Sequence, residues 1–148
     1  MTREEQEQCK TLEAVCDLKS ELDILRYIKV VEKLRASSSL DVLRCMLWCL
    51  RDTDAGEVQY ELVEACEAYP GDVYVRTFLD EGLGVEKTAP EWFGLMFQSI
   101  LNSDSCREVA IRILNETDAN RREEYKRIIR GIIADDAPQY LAVLDQLS

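Results

Sequence analysis

The chain has 148 residues, 47% of them hydrophobic and 32% charged, which leaves room for one compact domain and excludes a membrane-embedded or wholly disordered protein. It contains no histidine, so it lacks the commonest general base, the commonest zinc ligand and the usual partner of a catalytic Ser or Cys. A formal net charge of -11 argues against the phosphate backbone of nucleic acid as a partner, because neutralising phosphates takes Lys and Arg.

Hydrophobic periodicity is helical almost throughout. The expected fold is therefore all-α, with about eight to nine helices in antiparallel hairpins. These would form a HEAT-like array or a compact bundle, within a single domain over residues 1–148. The charged start Met1 to Glu7 is followed by no apolar stretch, and the run around Trp92 to Phe97 is far too short to span a bilayer. Neither a secretory signal nor a membrane partner is expected, and the expected compartment is the cytoplasm.

Taken in chain order, Ser20 is a candidate N-cap with Asp23 three residues on. Ile24, Tyr27, Ile28, Val31 and Leu34 then form one apolar stripe. Ser37-Ser38-Ser39 ends that helix, and Ser39 can cap the next, which carries Leu40, Leu43, Met46, Leu47 and Leu50. Asp54-Ala55-Gly56-Glu57 has the form of a helix start, followed by Val58, Leu62, Ala65, Cys66 and Tyr69 on one face. Pro70-Gly71 stops that helix. A short helix over about Asp72 to Asp80 is expected to end at Glu81-Gly82-Leu83-Gly84.

Thr88-Ala89-Pro90-Glu91 reads as a capping box with Pro in the first turn. Beyond it, Trp92, Phe93, Leu95, Met96, Phe97, Ile100 and Leu101 cover most of the helix circumference, as expected at the centre of a fold. Ser105-Cys106-Arg107-Glu108 resembles another capping box, opening a helix with Val109, Ile113 and Leu114. A helix from about Asp118 to Ala134 follows, with Tyr125, Ile128, Ile129 and Ile132 inward, and Asp136-Ala137-Pro138-Gln139 opens the last. The Pro90 and Pro138 starts align at an offset of 48, near the period of stacked helical hairpins. Two ordinary capped amphipathic helices would look equally alike.

Few residues carry chemistry. No phosphate-binding glycine loop occurs, and no cofactor, metal or catalytic residue is expected. Cys9 and Cys16, and Cys45 and Cys49, sit at spacings that place each pair on one helix face, which suits small buried side chains in a reducing compartment. Cys106, near a helix start and beside Arg107, is the thiol a nucleophilic mechanism would use.

Charge is the most informative feature. Between Leu50 and Lys87 ten acidic residues stand against three basic ones, leaving a smaller excess of -4 on the rest of the chain. Glu57, Glu61 and Glu64 fall within one narrow helical sector, where like charges repel by a few tenths of a kcal/mol per pair. Such a row favours fast, salt-sensitive docking to a basic partner, or is a solvated face. The candidate partner-binding residues are Asp52, Asp54, Glu57, Glu61, Glu64, Asp72, Asp80, Glu81 and Glu86. Arg121, Arg122, Lys126, Arg127 and Arg130 form an opposite patch, interleaved with Glu123 and Glu124 as on a solvated helix face.

The segment Tyr60-Glu61-Leu62-Val63-Glu64-Ala65-Cys66-Glu67-Ala68-Tyr69, then Tyr74, Ala89-Pro90-Glu91-Trp92 and Ile100-Leu101-Asn102-Ser103, resembles the Immunity protein 30 family. The resemblance covers Val58 to Asn115. It implies a small helical, non-enzymatic protein of bacterial polymorphic toxin and contact-dependent inhibition systems, which binds and neutralises a cognate toxin domain. Many such toxins act on nucleic acid and are basic, so a basic toxin, a nuclease among the candidates, would match the acidic stretch. A helical-repeat adaptor or scaffold binding another protein or peptide is the alternative with the same fold. A thiol-dependent enzyme built on Cys106 is the third.

Overall fold

The computed structural model describes residues 1–135 and 137–148. Nine α-helices and one 3-10 turn make up its regular structure, and no strand occurs among the described residues. The all-α expectation holds, including over Asp72 to Val75, which is helical. The chain divides into two compact units, Met1–Gln98 and Ser99–Ser148.

The first unit opens with α1 (Arg3–Val15) and α2 (Glu21–Leu34), which pack on each other as a helical hairpin. Each start is set locally. Thr2 and Glu5 form a reciprocal capping box, and the Ser20 hydroxyl accepts the Asp23 amide at 3.1 Å. The turn between them holds Leu18 at φ 50, a left-handed conformation uncommon for a branched side chain. Next come α3 (Leu40–Trp48), α4 (Gly56–Glu67) and α5 (Gly71–Thr88). Here α3 packs on α1, α4 and α5, and α4 lies along α2.

The core of this unit is made by Tyr27, Leu34, Leu43, Met46, Leu47, Leu50, Leu62, Phe78, Phe93 and Phe97, all fully buried. Gln59 is buried with them, and each end of its amide has a partner. The Tyr27 hydroxyl donates to its Oε1 and its Nε2 donates to the Cys16 carbonyl, both at 3.2 Å. One amide side chain thus ties α4 to α2 and to the end of α1, and burying it costs little because both of its ends are satisfied.

Several expected boundaries move. Helix α5 does not stop at Glu81 but runs through Gly82 and Gly84 to Thr88. The cause is tertiary: the Trp48 indole lies against Gly84, where a Cβ would collide with the ring, and Trp48 Nε1 donates to Glu81 Oε2 at 2.9 Å. A glycine that reads as a helix stop is here the space for an aromatic ring. The Asp54 and Ser39 caps do not form; α4 starts from Ala55 and α3 from Ser39 without a side-chain hydrogen bond. On α2 Tyr27, Val31 and Leu34 are buried as expected, but Val30 joins them in place of Ile28, which is 41% exposed; Leu40 and Leu95 are also exposed.

Helix α6 (Pro90–Asn102) follows α5 after the single residue Ala89. Thr88 does not cap it. Its hydroxyl turns back to the Val85 carbonyl at 3.4 Å, and Asp52 caps α6 instead, accepting the Glu91 amide at 2.9 Å and the Trp92 amide at 3.2 Å. In the second unit, α7 (Asp104–Glu116) is capped by Ser103 rather than by Ser105. Asp118 caps α8 (Ala119–Ala134), and Tyr125, Ile128 and Ile129 are buried while Ile132 is only half-buried. A 3-10 turn, Pro138–Tyr140, precedes α9 (Leu141–Gln146). The expected cap at Asp136 lies outside the described residues.

Candidate functional site

The acidic stretch does not form one continuous face; the helices give its members different tasks. Asp52 is committed to the N-terminus of α6, where its carboxylate meets two backbone N–H groups and the positive end of the helix dipole. Asp52→Ala should therefore lower stability by about 1 kcal/mol, visible as a shift in the urea midpoint, whether or not any partner is present. An unchanged midpoint would show that the cap is not needed.

Glu81 is likewise engaged within the fold, accepting from Trp48 and lying 3.4 Å from Arg44 Nε. Asp54 is exposed ahead of α4, and Asp72 is exposed in the first turn of α5. Asp80 is exposed further along α5, and Glu86 is half-buried near its end. What the structure does bring together is the α4 row. Glu57, Glu61 and Glu64 are all exposed on α4, and the partner α2 supplies Arg35 from its C-terminal end. Arg35 Nη2 lies 2.6 Å from Glu61 Oε2 and 3.8 Å from Glu64 Oε2.

Between α2 and α4 lies a groove of about 600 Å³. Its floor is aliphatic, made by Ile28, Val31 and Val58, and its rim is acidic, made by Glu32, Glu57 and Glu61. Arg35 closes one end and also lines a second hollow of about 430 Å³, beside Leu40, Tyr69 and Pro70. The charge of the α4 row is felt locally. The Glu67 carboxyl is held above its ordinary value by partial desolvation and by the neighbouring Glu64 charge. Repulsion of this kind would be relieved by a cation brought against the face.

The groove residues Ile28, Glu32 and Arg35 were missed in the sequence because they belong to α2. Ile28 fits the apolar stripe of that helix and reads as core. The signal that could have separated them is the spacing Ile28, Glu32, Arg35, at i, i+4 and i+7, which sets a distinct sector beside the buried one.

Four of the thiols lie in contact in the order Cys9, Cys45, Cys49 and Cys16. Cys9, Cys16, Cys49 and Cys66 are buried, Cys45 and Cys106 half-buried, and all six are free. Cys16 is pulled down, to about 7, by a hydrogen bond from Cys49 and by the Arg51 charge, against desolvation, and Cys45 is also lowered by its contact with Cys49. Cys49 is driven up by the same contacts, and desolvation with the Cys45 contact pushes Cys9 up to about 12. At 2% exposure Cys16 offers no approach to a substrate. Cys106 sits in the first turn of α7 with its amide donating to Ser103. Among the described residues no group of Cys, Asp or Glu could hold a metal ion, and no helix is long and apolar enough to cross a membrane.

Fold and surface together define a small acidic all-α protein whose most distinctive surface feature is an acid-rimmed groove on paired helices. Its sequence matches the family described as Immunity protein 30 over residues 14–111, and the chain belongs to that family. The matched span takes in α2 through α6, with the groove and the Ala89-Pro90-Glu91-Trp92 helix start. No curated protein and no solved structure matches the chain. The family is one of immunity proteins.

Proposed function

We propose that this immunity protein binds the toxic domain of a cognate effector through a protein–protein interface and neutralises it there, without catalysis and from the cytoplasm, as one 148-residue domain. Membership of the Immunity protein 30 family carries the proposal. The charge distribution supports a basic toxin, one acting on nucleic acid among the candidates, since ten acidic residues lie between Leu50 and Lys87. Of the acidic candidates, Glu57, Glu61 and Glu64 are best placed to meet a partner, because they are exposed on one helix and not used to cap another. Asp54, Asp72, Asp80 and Glu86 would extend the field, while Asp52 and Glu81 serve the fold first.

The test is co-expression with the C-terminal domain of a large secreted protein encoded beside this gene. Rescue of growth together with a salt-sensitive complex of the purified proteins is the expected result. Absence of both rescue and complex would overturn the proposal and favour an adaptor for another protein.

A further inference from the structure

We infer that the groove between α2 and α4 is the docking site for a basic, aliphatic segment of the partner, one that sets Leu- or Met-sized side chains between Lys or Arg residues. This rests on the proposal that the partner is a toxin domain, and it adds which face is used and what chemistry fills it.

The groove offers two kinds of contact and little else. Its floor is purely aliphatic, and Ile28 is 41% exposed within it. One turn earlier on α2, Leu25 is 58% exposed and lies in nearly the same sector, so the apolar strip continues beyond the groove. Apolar side chains left in water at a concave site gain from being covered. The rim supplies carboxylates, which accept hydrogen bonds and donate none. Its one cation, Arg35, already faces Glu61 and Glu64. An anionic occupant would meet three carboxylates, and a neutral apolar one would bring no counter-charge to Glu32 and Glu57, which Arg35 does not pair. A segment that pairs aliphatic side chains with Lys or Arg satisfies both, with the stems of the basic residues lying over the floor and their heads at the rim. A volume of about 600 Å³ is enough for several such side chains.

The experiment uses the full chain and two probes. One is the toxin domain encoded beside the gene; the other is a synthetic peptide of Lys and Leu at helical spacing, with its Glu-for-Lys counterpart as control. Each is titrated against wild type, Ile28→Asp and Leu22→Asp. Leu22 is 54% exposed on α2 but does not line the groove. Because both positions are exposed, both variants should melt close to wild type. The expected result is that Ile28→Asp weakens toxin and Lys/Leu peptide binding by about tenfold or more, while Leu22→Asp leaves both unchanged and the Glu/Leu peptide does not bind. Tight toxin binding that Ile28→Asp does not alter would overturn the groove assignment and leave the immunity proposal standing. Ile28-dependent binding of the peptide without any toxin complex would do the reverse, keeping the groove as a site for basic segments of another protein. No binding of either probe would overturn both.

Discussion

Phe78→Ala is expected to cost about 3–5 kcal/mol of stability, read as a large fall in the urea midpoint. Phe78 is fully buried at the middle of an aromatic group in the first unit. Its ring stacks on Phe93 with centroids 5.3 Å apart and an interplanar angle of 12°, and on Phe97 at 6.2 Å. Tyr74 closes the group at 6.1 Å. Truncation removes both the transfer free energy of the ring and its stacking contacts. It also leaves a cavity walled by rigid aromatic rings, which collapse poorly into empty space. Against a typical total of about 5–15 kcal/mol for a domain, that loss brings the protein near its unfolding threshold at ordinary temperature. The control is Leu95→Ala. Leu95 is 60% exposed on α6, so its truncation should stay within about 0.5 kcal/mol of wild type. A Phe78→Ala loss no larger than that of Leu95→Ala would mean that the aromatic group does not carry the core.

The contrast between those two residues also marks what could be read before the structure. Both lie in strongly helical sequence, and the Trp92 to Leu101 stretch reads as apolar on nearly all sides. Periodicity identified the helix because it depends on neighbours three and four residues away. It could not say that Leu95 faces outward, because that depends on which helices pack around α6. Caps divide the same way. Ser20 binds an amide three residues on, so it was legible. Asp52 binds amides 39 and 40 residues away, where Thr88 offered a closer and more conventional candidate. Gly84 follows the same logic, because its role is set by Trp48 from another helix.

The candidate surface was half legible for this reason. The Glu57, Glu61 and Glu64 row depends on helical spacing alone and was visible. The other wall of the groove, with Ile28, Glu32 and Arg35, comes from a helix more than twenty residues earlier. Arg35 in particular changes the character of the row: an isolated ladder of repelling carboxylates becomes one anchored at its far end by a guanidinium. The Ala89-Pro90-Glu91-Trp92 start could be read as a family feature without any of this, because it is contiguous in sequence.

Reversing the row with Glu57→Lys, Glu61→Lys and Glu64→Lys together should slow association with a basic toxin domain by about 10- to 1000-fold at low salt. The change moves the formal net charge from -11 to -5 and concentrates the reversal on one face of α4. Because steering acts before contact, the effect belongs mainly to the association rate, with a smaller change in dissociation. It should shrink as salt rises, since the screening length falls from about 30 Å at 0.01 M to about 8 Å at 0.15 M. Stability should barely move. The Arg35 pairs lost are between side chains 41% to 51% exposed, worth about 0–1 kcal/mol at such positions. The like-charge repulsion between positions 57 and 61 persists with its sign reversed, so it neither adds to that loss nor offsets it. Stopped-flow association at two salt concentrations, with circular dichroism melts of both proteins, separates the outcomes. Slowed association that recovers at high salt, with matching melts, places the toxin's basic surface against α4. Equal rates at low salt would remove α4 from the encounter face, because no contact made later could hide a six-unit change of charge there.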